Sequence, residues 1–153
     1  MWLILKTDAS KEFTVAQALS ALGHTVWVPT YVATAYERFT AGPGVTLRRK
    51  KAIERPLMPS VVLMDNTQGW VALPAMRHYN GFWRDCFDVP KLIPEIQVTR
   101  FRERVEAVNA AETARIMKAQ MGKRKSKRVL KLDPKLTDEL KAMLFGQQQQ
   151  EAA

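Results

Sequence analysis

Two histidines, one cysteine and two runs of cations are the side chains in this sequence with most to offer chemistry. Catalysis near neutral pH needs a base of suitable pKa, a nucleophile that the base can activate, or a metal held by several ligands. His24, His78 and Cys86 show no metal-ligand spacing, and neither histidine has a partner close by in sequence. His24 follows a predicted helix end, where an imidazole meets the last carbonyls, and His78 falls in a turn before Tyr79, Asn80 and Gly81. Both are read as structural or solvent-exposed. Cys86, next to Asp85, has nothing beside it that favours the thiolate, so it is expected to act as a small buried apolar residue. The sequence contains no P-loop, dinucleotide fingerprint, nucleophile elbow or zinc motif. The expectation is a protein without catalytic residues, metal or cofactor.

The cations say more. Arg48, Arg49, Lys50 and Lys51, with Arg55 just after, are expected in a loop leading into a strand, where long side chains reach phosphates without disturbing a core. The alternative is a solvated charged loop. Lys123, Arg124, Lys125, Lys127 and Arg128 crowd around Ser126, a density that suits DNA, RNA, an acidic protein surface or a solubilising linker. Across 153 residues, 24 Lys and Arg against 15 Asp and Glu give a formal charge of +9. Residues 1 to 110 hold 14 basic and 10 acidic residues, and residues 111 to 153 hold 10 and 5, so over half the excess sits on the last quarter of the chain.

The elements that must position these groups follow from periodicity. With 46% apolar and 25% charged residues the chain can bury an ordinary core. No apolar run approaches the ~20 residues of a membrane span, the opening residues lack the basic start of a signal peptide, and a lone cysteine closes no internal disulfide; a cytoplasmic protein is expected. Trp2 to Thr7 predicts a buried strand. Ser10 as cap, Phe13, Ala16, Leu19 and Leu22 at helical spacing, and Gly23 as terminator predict a helix. Residues 25 to 32 are β-branched and aromatic, with Pro29 arguing for an edge or irregular strand. Ala41 to Gly44 reads as a loop, Val61 to Met64 as a strand, Trp70 to Arg77 as a short helix and Phe82–Trp83 as a short strand. Residues 95 to 121 predict a long helix with Val98, Phe101, Val105 and Val108 on one face. Asp133 and Pro134 open a last helix through Leu136, Leu140, Met143 and Leu144 to Gly146; its apolar face must pack back on the domain or dock on a partner. The order predicts an α+β fold, a small mostly antiparallel sheet flanked by helices, over residues 1–108. A basic helical extension over 109–146 and a disordered tail over 147–153 follow.

In order along the chain, these landmarks resemble the N-terminal domain of the NusG family of transcription elongation factors. Trp2 looks like the aromatic that leads the family's first strand, Lys11 to Gly23 its first helix, and Val26-Trp27-Val28-Pro29-Thr30 its second strand. Arg48 to Lys51 is similar to the basic stretch after its hairpin loop. Residues 56 to 64, Pro-Leu-Met-Pro-Ser-Val-Val-Leu-Met, resemble its "P-L-F-P-x-Y-L-F-V" signature; Trp70, Gly81-Phe82 and Pro90 to Ile93 match later landmarks. Met58 and Val61 stand where the signature has aromatics, and residues 111 to 153 show none of the alternation of the family's second domain, the KOW barrel.

The resemblance implies a non-catalytic factor that binds RNA polymerase across the DNA cleft. It implies an apolar patch of Met58, Val61, Leu63, Phe82 and Leu92 on the clamp helices of the largest subunit, and Gly69, Trp70 and Val71 near the gate loop of the second-largest. Arg77 would touch the non-template strand, and the two basic runs DNA or nascent RNA. An anchoring half without a recruiting half implies a monomeric antiterminator, as in a phage, that competes with cellular NusG. The alternatives are an inhibitor of a host polymerase and a free-standing nucleic-acid-binding protein, for which Trp2, Trp27, Trp83, Tyr31 and Tyr36 are candidate stacking surfaces.

Overall fold

The computed structural model describes residues 1–67, 73–121 and 134–146. Its elements in chain order are β1 (Trp2–Thr7), α1 (Glu12–Ala21), β2 (Val26–Trp27), β3 (Thr30–Gly42) and β4 (Val45–Pro56). Then come β5 (Val61–Asp65), β6 (Tyr79–Phe82), β7 (Leu92–Ile93), α2 (Glu95–Met121) and α3 (Pro134–Phe145). The fold is α+β, and every strand pair among the described residues is antiparallel. The main sheet runs β2-β5-β1-β6, with β7 also on β1, and β3 and β4 form a separate two-stranded sheet.

The centre of the main sheet is the pairing of β1 with β5, in which Leu3 faces Met64, Ile4 faces Leu63 and Leu5 faces Val62. Successive strand residues point to opposite sides, and both runs are apolar throughout, so both faces of the sheet must be covered. On one side Leu3, Leu5, Val62 and Met64 meet Val15 and Leu19 of α1. On the other, Trp2, Ile4, Val61 and Leu63 meet Val98, Phe101 and Val105 of α2 and Leu136, Leu140 and Leu144 of α3. The sequence left α3 two destinations, and it packs on the domain. Arg104 of α2 ion-pairs with Glu139 of α3 at 2.6 Å, and Phe145 lies edge-on to Trp83 at 4.9 Å. α2 runs unbroken through residue 108, so the long helix belongs to the core along much of its length.

Two local expectations change. Ser10 does not cap α1: it sits at φ 67, and the residue at the cap position, Lys11, makes no side-chain bond. Instead Glu12, 1% exposed, accepts the backbone N–H of Ser10 at 3.2 Å and that of Ser60 at 2.7 Å on the same oxygen. Both serines are in the left-handed region, so one buried carboxylate fastens the start of α1 to the tight turn entering β5. The buried face of α1 is consequently Glu12, Val15 and Leu19, and Phe13 and Leu22 of the predicted face are exposed. At the far end, Gly23 does take the expected positive φ, 88°. Pro29 separates β2 from β3, as an imino acid without an N–H does in a ladder. In α2 Val98 and Val105 are buried, but Val108 is 39% exposed.

If α3 is an integral part of the core, Leu140→Ala should cost about 2–5 kcal/mol, the range for a fully buried leucine. Urea unfolding of the full chain measures it, and a loss under about 0.5 kcal/mol would show that α3 is only resting on the domain.

Candidate nucleic-acid interface

The basic run Arg48 to Lys51 is not in a loop. It lies inside β4, in a hairpin whose strands of 13 and 12 residues extend about 40 Å at roughly 3.3 Å per residue. Thr30, Val32, Thr34, Tyr36 and Phe39 favour extended backbone, and Gly44, at φ 74, completes the turn after Pro43. The root of the hairpin is tied down by Asn109 of α2, whose amide donates to the Thr30 carbonyl at 2.9 Å and accepts from the Val32 N–H at 3.2 Å. Leu57 N–H donates to the Pro29 carbonyl at 2.8 Å where the second strand leaves.

The register sorts the charges. Tyr36 pairs with Lys50 and Arg38 with Arg48, while Glu37 pairs with Arg49 and Ala35 with Lys51. Pairs alternate between faces, so Arg48 and Lys50 share one face with Tyr36 and Arg38, and Arg49 and Lys51 share the other with Glu37 and Phe39. On this second face Arg49 bonds Glu37 at 2.8 Å and lies 5.5 Å from the Phe39 ring centroid. The bond from Arg49, followed by the charges of Arg49 and Lys51, lowers the Glu37 carboxyl below its ordinary pKa.

The other predicted site residues divide sharply. Gly69, Trp70 and Val71, and Lys123, Arg124, Lys125, Lys127 and Arg128, lie outside the described residues. Of the predicted helix from Trp70 to Arg77, the described part, Leu73 to Arg77, is not helical. Arg77 is exposed on a turn pinned by a cluster that the sequence did not disclose. Asp8 accepts a bond from Asn80 Nδ2 at 2.7 Å and faces His78 Nδ1 at 2.9 Å, and its own N–H donates to the His78 carbonyl. His78 takes φ 68 to make this turn.

The five apolar candidates do not form one exposed patch. Val61 is 2% and Leu63 0% exposed, both beneath α2 and α3, and half-buried Met58 packs at the margin of the same cluster. Phe82 is buried in the cluster on the opposite side of the sheet, under α1. Leu92 alone is exposed, in β7 opposite Leu3. The reason is the two-sided burial of the sheet: alternation places Val61 and Leu63 on one common face as expected, but that face is a core. Of the five candidate stacking aromatics, Trp2 is buried, Tyr31, Trp27 and Trp83 pack against the same core, and Tyr36 is 66% exposed.

Cys86, expected to be buried, is exposed in the loop closed by the Arg84–Pro90 bridge. No group of three or more His, Cys, Asp or Glu among the described residues is placed to hold a metal. A groove of about 820 Å³ between α1, α2 and the hairpin root is lined by Glu54 and Glu106 among its charged groups and by no histidine, cysteine or lysine. Among the described residues no helix is long and apolar enough to cross a membrane. The sequence matches no protein-family profile and no curated protein.

The Asp8 cluster makes a pH prediction. The Asn80 bond, then the His78 bond, lowers the Asp8 carboxyl below its ordinary pKa. A lowered carboxylate stabilises the fold above its unfolded pKa and loses that contribution as pH falls through the folded value. Thermal melts from about pH 6 to pH 2 should therefore show wild type losing more stability below about pH 4 than Asp8→Asn does; parallel curves would mean that the cluster is not coupled to folding.

Proposed function

We propose that this chain is a non-catalytic transcription elongation factor of NusG type. It binds RNA polymerase at the clamp helices and gate loop, sets its basic hairpin against the nucleic acid of the complex, and favours transcription through pauses and terminators in competition with cellular NusG. The observation that carries the reading is a long cationic arm projecting from a compact α+β body. The order of elements supports it: Trp2 opens the central strand, Gly23 follows α1, Leu57 to Ser60 form the turn that Glu12 holds, and Gly81-Phe82 end β6.

Because Val61 and Leu63 are core, the docking surface in this conformation is assigned to exposed apolar side chains near β7. Leu92 is 43% exposed, and Phe87, Val89 and Ile96 around it in sequence are exposed as well. Apolar side chains left outside on a small domain are a feature of partner sites. A cytoplasmic location follows from this reading. A second reading, a free-standing nucleic-acid-binding protein, draws support from the same burial of Val61 and Leu63 together with the exposed cations of the hairpin.

Co-purification with RNA polymerase separates the two. Leu92→Asp should reduce recovery about tenfold, equivalent to roughly 1.4 kcal/mol, without lowering the melting temperature by more than a few degrees. Unchanged recovery would discard the β7 surface. Failure of wild type to bind polymerase, with tight binding to bare nucleic acid in a mobility shift, would establish the second reading.

A further inference from the structure

We infer that the hairpin binds double-stranded DNA through one of its two faces, the one bearing Tyr36, Arg38, Arg48 and Lys50. The inference rests on the hairpin being the nucleic-acid-facing arm of the proposed function, and it goes further by fixing the face and the form of the ligand.

The first observation is the direct pairing of Arg38 with Arg48. Like charges opposite each other in an antiparallel ladder destabilise it, and no acidic residue shares that face between residues 34 and 40 or 46 and 52. A polyanion lying along this face neutralises both arginines. The opposite face needs no such ligand, since Glu37 already bonds Arg49 at 2.8 Å and Phe39 lies close to the same guanidinium. The adjacent run Arg48 to Lys51 is thus divided, with Arg48 facing ligand and Arg49 facing its own strand partner Glu37.

The second observation is shape. Arg38, Arg48 and Tyr36 are exposed on the outer half of a ribbon only two strands wide. Two strands stand about 4.8 Å apart, and such a ribbon with its side chains enters the roughly 12 Å major groove of B-form DNA, whereas the deep, narrow groove of A-form RNA does not admit it. Threonines 34, 40 and 46 lie on this face too, so the face is polar along its length and offers hydroxyls to phosphates or base edges. Duplex DNA, rather than a single strand, is the ligand that matches a two-stranded ribbon with cations paired on one side.

The test uses the full-length chain and a fluorescein-labelled DNA duplex, with binding followed by anisotropy over a range of salt concentrations. Each phosphate neutralised contributes about 0.9 to the slope of log K against log salt. Arg38→Gln/Arg48→Gln should therefore flatten the slope by nearly 2, and Arg49→Gln/Lys51→Gln by less than about 1. Circular dichroism checks the fold of both; the Arg38→Gln/Arg48→Gln variant relieves the Arg38–Arg48 repulsion and should melt no lower than wild type. As a probe that removes no charge, Tyr36→Trp should change its emission on adding duplex and Phe39→Trp should not. Equal loss per charge on the two faces, or equal responses from the two tryptophans, would overturn the assignment of the face. A single-stranded RNA of the same length that binds as tightly, with the same dependence on Arg38 and Arg48, would overturn the assignment of duplex DNA. No polymerase is present in this assay, so its failure leaves the co-purification result with Leu92→Asp standing, and the reverse also holds.

Discussion

The pairing of β1 with β5 is the constraint on which the rest of the molecule depends. Both strands are apolar at every position of their central overlap, so the ladder from Leu3–Met64 to Leu5–Val62 presents a greasy surface on each side. Exposing either one to water would cost on the order of 25 cal/mol for each Å². One side is closed by α1 and the other by α2 with α3, and the order of the remaining elements serves those two closures. Glu12 illustrates the point: a carboxylate is buried at the start of α1 because two backbone N–H groups at left-handed serines need an acceptor there.

That constraint also decides the role of α3. Taken alone, a twelve-residue helix with one apolar edge is marginal in water, and its leucines find their partners in Val61, Leu63 and Phe101. Helix and sheet satisfy each other, and Val61 and Leu63 are consumed in doing so. Leu92, paired with Leu3, belongs to the opposite side of the sheet and remains exposed.

The hairpin escapes the constraint. Beyond Thr34 none of the residues of β3 is fully buried, and an isolated two-stranded ribbon is at best marginally stable. Its anchorage is the packing of α2 against both strands, the Asn109 bridge to Thr30 and Val32 and the backbone bond from Leu57 to Pro29. Further out, the second face adds an ion pair and a cation near a ring. What the outer ribbon offers the rest of the world is charge, sorted onto two faces by the two-residue period of the strand.

Sequence alone determined the elements whose periodicity reports burial. Trp2 to Thr7, residues 95 to 121 and the helix ending at Gly146 were legible because an apolar run or a helical repeat is the direct trace of a face hidden from water. The hairpin was not legible as strands, because a ribbon wet on both sides leaves no apolar alternation, and Arg48 to Lys51 in such a context looks like loop. The Asp8, His78 and Asn80 cluster joins residues some seventy positions apart, a distance in sequence that no local pattern spans. Likewise, alternation could place Val61 and Leu63 on one face but not say what lies over it. Tertiary structure decided that, since whether an apolar face is core or docking surface depends on which other element has an apolar face left to bury against it.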